Sequence, residues 1–278
     1  MKKVIAALAV GAAVALAFGG AEAKDWKKVR IGTEGAYAPW NVTDASGKLV
    51  GFEIDLGNDL CKRMKVQCEF VAQDWDGIIP ALQQGKYDAI MSAMTITDER
   101  KQILDFTVPY GNDPSSLITD KKSPLASLAK TDILDIQTPA GKKAIDDLAK
   151  ALAGKTVGVQ TSTTQLAFLE KHLPKIAVRT YDKIDNAGID LGAGRVDAVI
   201  GDRSVLEPII KEDKGGNIVM FGPNLVRGVL GEGMGLGLRK QDADLKAMFD
   251  KAIAEATKDG TVSKLSKQHF GYDISIKK

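Results

Sequence analysis

From Val29 onward, short apolar runs alternate with longer stretches whose apolar residues recur at helical spacing. Val29-Arg30-Ile31-Gly32 and Thr156-Val157-Gly158-Val159 read as strands, and each leads into a polar loop and then a helix. Asp55 to Lys65 puts Leu56, Leu60 and Met64 on one face of a helix. Asn186 to Gly194 and Asp242 to Lys258 are further helices, the latter stopped by Asp259-Gly260. Two segments echo each other: Gly85-Lys86-Tyr87-Asp88-Ala89-Ile90-Met91 and Gly194-Arg195-Val196-Asp197-Ala198-Val199-Ile200. Each follows a helix-like stretch, Trp75 to Gln84 or Ile184 to Ala193, and enters an apolar run that suits a buried parallel strand. Gly-x-x-Asp-Ala is a common helix-to-strand turn, so the echo alone is weak. The alternation still predicts an α/β protein, and the doubling suggests two similar lobes. Lys122 to Gly154 is more polar, contains Pro124 and Pro139, and is expected to hold a short helix, Ala140 to Leu152, as an insertion near the start of the second lobe.

The N-terminus has a different pattern. Lys2 and Lys3 precede an apolar run from Val4 to Phe18, and Ala21-Glu22-Ala23 has the form of a cleavage site. Such a run, about 15 residues, is short for a membrane span, so residues 1–23 are read as a signal peptide. No Cys stands near the cleavage site to carry a lipid. Removal of the segment lowers the formal net charge from +2 to about +1. No basic patch points to nucleic acid or an anionic membrane. The two cysteines, Cys61 and Cys68, form a close pair, which in an exported chain is expected to be a structural disulfide. A metal site is the alternative, but the two histidines, His172 and His269, are distant in sequence.

Ligands of open α/β sheets bind outside the carboxyl ends of the strands. That rule selects the loops Thr33 to Trp40, Ser92 to Arg100, Gln160 to Thr164 and Gly201 to Ser204, with Trp75 at the mouth of a following helix. Their chemistry suits an α-amino acid. Arg100 offers a planar fork for a carboxylate, in a segment that reads as a helix start with Thr95 and Asp98 in capping-box spacing. Asp202 offers a carboxylate for an ammonium. Tyr37 and Trp75 offer aromatic faces to an aliphatic or cationic side chain, and Glu34 stands where it can meet a distal positive charge. Each residue has an ordinary alternative: Arg100 as half of a surface ion pair, Asp202 as a helix cap, Tyr37 and Trp75 as core, Glu34 as a solvated charge, Ser162-Thr163-Thr164 as a cap. Their joint occurrence carries the argument.

Gly51-Phe52-Glu53-Ile54-Asp55-Leu56, followed by Leu60-Cys61 and Met64, resembles the signature of the periplasmic polar amino-acid-binding proteins of ABC transporters, solute-binding protein family 3. Within that family the chain is similar to the lysine/arginine/ornithine-, histidine- and octopine/nopaline-binding members. Ile31 to Trp40, Asp88 to Arg100, Gly158 to Thr164 and Gly235 to Lys240 extend the likeness over nearly the whole chain. It implies a type II periplasmic binding protein fold: two lobes, each a mostly parallel sheet flanked by helices, joined by a two-strand hinge and closing on the ligand. The implied division is 24–112 and 223–278 for lobe 1 and 113–222 for lobe 2. Cys61 and Cys68 fall where the basic-amino-acid members carry their disulfide. Carried over, Tyr37 and Trp75 sandwich the ligand side chain, Ser92, Thr95, Arg100 and Thr163 hold the α-carboxylate, Asp202 binds the α-ammonium, and Glu34 meets a cationic side chain. Ala93, Ser162 and Thr164, in the same loops, complete the expected ligand-binding set. Ala93 stands where other members have a hydroxyl, and Thr161 where a Gly is usual.

The resemblance implies a transport binding protein of the periplasm, without catalysis, cofactor or metal, that delivers its ligand to an inner-membrane ABC permease. A monomer is expected. A cationic amino acid (arginine, lysine or ornithine) fits Glu34 with Asp202. An opine, with a second carboxylate, would meet those acids unfavourably unless Arg203 or Arg227 supplied a cation, and histidine or glutamine is a third choice. A dehydratase on the same fold is the enzymatic alternative, against which stand the lack of a His near the site and of a nucleophile–base pair. A receptor's sensory domain is disfavoured because no later apolar span follows.

Overall fold

The computed structural model describes residues 24–128 and 132–276, and the expected signal peptide at 1–23 lies outside the described residues. The chain begins with β1 (Lys28–Thr33) and a small antiparallel sheet of β2 (Ala36–Tyr37), β3 (Asn41–Thr43) and β4 (Leu49–Val50). There follow α1 (Phe52–Met64), β5 (Gln67–Ala72), α2 (Ile78–Gln83), β6 (Ala89–Ile90), α3 (Asp98–Lys101) and β7 (Asp105–Phe106). A second half holds β8 (Ser115–Asp120), β9 (Ile133–Asp135), α4 (Pro139–Ala151), β10 (Thr156–Gln160), α5 (Thr164–His172) and β11 (Ala177–Tyr181). It ends with α6 (Ile184–Gly192), β12 (Ala198–Asp202), α7 (Arg203–Glu212) and β13 (Ile218–Val226). The chain then returns to the first half through β14 (Gly237–Leu238), α8 (Ala243–Lys258) and α9 (Thr261–Phe270).

Two mixed sheets result, ordered β5-β1-β6-β14-β7 and β11-β10-β12-β8-β13-β9. β1 pairs in parallel with β5 and β6, and β10 pairs in parallel with β11 and β12. In each sheet one strand runs against its neighbours: β14 beside β6, and β8 beside β12. Both reversed strands follow a passage of the chain from the other half, so each enters its sheet from the opposite end. The two passages run side by side, with Thr95 and Gly111 each bridging Met234.

The echoed segments occupy equivalent places. Asp88 accepts a bond from Arg30 N at 2.9 Å and returns one from its own N–H to Arg30 O at 2.8 Å. Asp197 does the same with Thr156, at 2.9 and 2.8 Å. In each half this carboxylate pins the start of the β6 or β12 segment to the first strand, after a glycine at positive φ, Gly85 or Gly194. The echo is therefore a repeated helix-to-strand joint.

Helix ends depart slightly from the apolar pattern. α1 starts at Phe52 rather than Asp55, because Gly51 turns the chain at φ 126° and Glu53 and Asp55 in the first turn favour the N-terminal dipole. Trp75 to Gln84 divides into a 3-10 turn at Trp75–Gly77 and α2. α4 starts one residue before Ala140, where Pro139 has a preset φ and Thr138 accepts a bond from Gly141 N at 3.1 Å. The insertion's β9 extends the second sheet by pairing in parallel with β13, which itself continues to Val226. In the first half, Trp40, Phe52 and Phe270 stack in the core, with Trp40 ring centroids 5.6 and 4.8 Å from the other two. The Cys61–Cys68 disulfide is present and ties α1 to β5.

Candidate ligand-binding site

The carboxyl ends of β1, β6, β10 and β12 face one cleft between the halves. Its small cavity is lined from the first half by Glu34, Tyr37, Trp75, Ser92, Ala93, Thr95 and Arg100, and from the second by Gln160, Thr163, Thr164, Gln165 and Asp202. Of the residues singled out from the sequence, Ser162 alone is not in the lining.

Arg100 enters the cleft from α3. One guanidinium nitrogen donates to Thr95 O at 2.9 Å, another to Ser162 O at 3.2 Å across the cleft, and the group lies 5.3 Å from the Trp75 ring centroid. Burial lowers its pKa to about 10 against the opposing pull of Asp202 and Glu99, so it stays a cation at neutral pH. The helix start differs from the expected capping box at Thr95 and Asp98. Thr97 is the N-cap, accepting from Arg100 N at 3.2 Å. Thr95 cannot serve, because its backbone is held in the bridge to Met234; its side chain lines the cavity instead.

Asp202 is buried and accepts bonds from Tyr37 OH at 2.8 Å and Gln165 Nε2 at 2.8 Å. Burial raises its carboxyl to about 6, while those two bonds and the Arg100 charge hold it down. It precedes α7 yet makes no capping bond; Asp113 accepts Ser204 N there, at 3.0 Å. Burial, then the charge of Asp202, pushes Asp113 up to about 8. Glu34 is also buried. Its Oε1 accepts from Gln160 Nε2 at 2.8 Å, and its N–H donates to Ser92 Oγ at 2.9 Å. Desolvation raises Glu34 to about 7, with the Gln160 bond and Lys183 opposing. Two acids thus sit in the cleft at the edge of ionisation, facing one fixed cation.

The loop after β10 has its own internal order. Ser162 adopts a positive φ, 55°, the conformation that favours glycine, whereas Thr161, which stands where a Gly is usual, does not. Ser162 Oγ turns outward to Asp76 Oδ1 at 2.8 Å, and Thr161 Oγ1 donates to the same oxygen. Thr163 lines the cavity, but its hydroxyl accepts Leu166 N at 3.2 Å as the N-cap of α5 and donates to Gln160 O at 2.8 Å. Gln160 and Gln165 were not singled out from the sequence. Gln160 ends β10 and opens a loop that the strand-end rule selected, though no role was given to it; Gln165 lies beyond that loop.

The halves meet through several of these bonds: Tyr37 to Asp202, Gln160 to Glu34, Arg100 to Ser162, Trp75 Nε1 to Ser162 O at 3.3 Å, and Trp40 Nε1 to Ser204 Oγ at 2.8 Å. The arrangement is a closed one around a polar cavity lined by one cation, Arg100, and two acids, Glu34 and Asp202.

Residues 29–272 match the model of the bacterial extracellular solute-binding proteins, family 3. The octopine-binding periplasmic protein of Rhizobium meliloti is 41% identical over 92% of this chain and 94% of its own length. The lysine/arginine/ornithine-binding periplasmic protein of Escherichia coli is 38% identical over 88% of each. Among solved structures, an ancestral arginine-binding protein bound to arginine superposes with a TM-score of 0.75 at 33% identity, covering 88% of this chain and 99% of that one. A periplasmic His/Glu/Gln/Arg/opine family-binding protein from Silicibacter pomeroyi in complex with lysine gives 0.74 at 34% identity, covering 90% and 100%. These relatives are binding proteins rather than enzymes. By the match over residues 29–272 and by these identities, the chain belongs to the family 3 bacterial extracellular solute-binding proteins.

Proposed function

We propose that this chain is the periplasmic substrate-binding component of an ABC importer for polar amino acids or opines, and that its ligand is a cationic L-amino acid: arginine, lysine or ornithine. The observation that carries the ligand reading is charge. Among the residues lining the cavity, Arg100 is the only lysine or arginine, set against the buried acids Glu34 and Asp202. With both acids ionised the site has one excess negative charge, and a basic amino acid brings one excess positive charge. Uncompensated charge in a desolvated site is unfavourable by several kcal/mol, so this balance selects strongly.

In this reading Arg100 pairs with the α-carboxylate, helped by Ser92, Thr95 and Thr163. Asp202 accepts the α-ammonium, and the aliphatic stem lies between Tyr37 and Trp75 with its cation at Glu34. Ala93, Ser162 and Thr164 shape the loops around it. Residues 24–112 with 223–278, and 113–222, act as two lobes that close on the ligand, and a permease recognises the closed form. The protein acts as a monomer.

An opine is the second reading, favoured by the identity to the octopine-binding relative. Its additional carboxylate would enter a cavity whose lining has no second cation. A thermal-denaturation panel with arginine, lysine, ornithine, histidine, glutamine, octopine and nopaline tests the assignment on ligand-stripped protein. A ligand at about a hundred times its Kd adds about 2.7 kcal/mol of stability. Basic amino acids are expected to give the largest shifts; a shift with opines alone would overturn the ligand class while leaving the family intact.

A further inference from the structure

The signature from Gly51 to Leu56 puts no side chain into the cavity, yet its acid is among the most constrained groups in the molecule. Glu53 is 0% exposed. Its Oε1 accepts from Ala93 N at 2.7 Å and from Tyr110 OH, and its Oε2 accepts from Asn41 Nδ2 at 2.6 Å. Asn41, also 0% exposed, passes the link on, because its Oδ1 accepts from Gly35 N at 2.7 Å.

Each donor belongs to a segment with a different task. Ala93 lies in the loop proposed to hold the α-carboxylate, at φ 45°, a conformation a non-glycine residue keeps only when its surroundings enforce it. Gly35 adjoins Glu34 in the loop proposed to meet the side chain. Tyr110 lies on the first passage between the halves, where its N–H bonds Met234 O of the second passage at 2.9 Å. A helix-terminal acid that merely favoured the dipole would be solvated and indifferent to these three segments.

We infer that Glu53 is a positioning residue: one buried carboxylate that sets both ligand-binding loops in register with each other and with the crossing between the halves. It touches no ligand. The inference rests on the cavity being the amino-acid site, but its geometric content does not depend on which amino acid binds.

The test exploits the direction of the bonds. In Glu53→Gln the new amide has one acceptor oxygen and one NH2 group, with two N–H donors, facing three donors. Either Ala93 N loses its acceptor, or Asn41 must turn and leave Gly35 N without one. Adding Asn41→Asp restores an acceptor for both the introduced side-chain amide and Gly35 N. Amide hydrogen exchange at Gly35 and Ala93 in ligand-free protein is read beside arginine affinity. For E53Q we expect exchange at one of these amides to quicken, and arginine and glutamine to weaken by the same factor, about tenfold or more. For E53Q/N41D both readouts should return to within a few-fold of wild type.

Unchanged exchange and affinity in E53Q, or a folded double variant with no recovery, would overturn the inference. Should E53Q fail to fold, Tyr110→Phe removes one donor and keeps the carboxylate; exchange at Ala93 should then rise with a smaller common loss of affinity, and no change in either would count against the role. If wild-type protein binds no arginine, the ligand reading fails, while the exchange arm still decides the role of Glu53.

Discussion

At the scale of single residues, the proposed site depends on two acids held near their point of ionisation by burial. Glu34, raised to about 7, and Asp202, raised to about 6, carry protons in part at neutral and mildly acidic pH in the closed cleft without ligand. A cationic ligand binds the ionised forms, so it must expel those protons. The affinity for arginine should therefore be highest above pH 7 and fall as pH drops through 7 and then 6, by up to about tenfold per unit for each proton expelled. Titrations across about pH 5.5–8.5 measure this, and a flat profile would contradict the coupling. Glutamine, neutral at its side chain, tolerates a protonated Glu34 and should show little change near pH 7. Glu34→Gln should weaken arginine selectively, by about 1–3 kcal/mol, as a charge-assisted bond is lost; equal losses for arginine and glutamine would remove the assigned role. Arg100, Asp202 and Glu34 were legible in the sequence because charged residues in strand-end loops are conspicuous. Gln160, Gln165 and the capping role of Thr97 were not. Neutral polar residues fill ordinary loops too, and the choice of cap depends on a bridge to Met234, far along the chain.

At the scale of elements, the chain builds each half from the same joint. The paired Asp88 and Asp197 bonds show why the Gly-x-x-Asp-Ala echo could be read early: the aspartate at that spacing serves a backbone N–H that the turn would otherwise leave free. Other elements were less readable. β14 has two residues, too few for any periodicity, and Trp75–Gly77 tightens into a 3-10 turn ahead of α2. The disulfide between α1 and β5 acts at this scale. Its loss in Cys61→Ala/Cys68→Ala should reduce unfolding free energy by about 2–3 kcal/mol, as read by denaturant titration. Ligand affinity should hardly change, since neither residue lines the cavity. A large loss of affinity with unaltered stability would reverse that assignment.

At the scale of the whole molecule, the proposed recognition brings two halves together. Asp76 illustrates the distinction between closing and selecting. It accepts bonds from Thr161 and Ser162 across the mouth of the cleft and is not in the cavity lining. Asp76→Ala removes contacts between the halves that touch no ligand, so it should weaken every ligand by the same factor, about 1–3 kcal/mol for the two bonds, and should speed release. Calorimetry with arginine and glutamine, together with stopped-flow release, would show it; a change in their affinity ratio would mean that Asp76 selects as well as closes.

The central claim is that the excess negative charge of the cleft chooses a cationic amino acid over an opine. Its most direct test is a paired calorimetric titration of arginine and octopine into ligand-stripped protein near pH 8, where both acids are ionised. Arginine should bind at micromolar or better, about −8 kcal/mol or more favourable, and octopine far more weakly. Tight binding of octopine with no heat from arginine would contradict the claim.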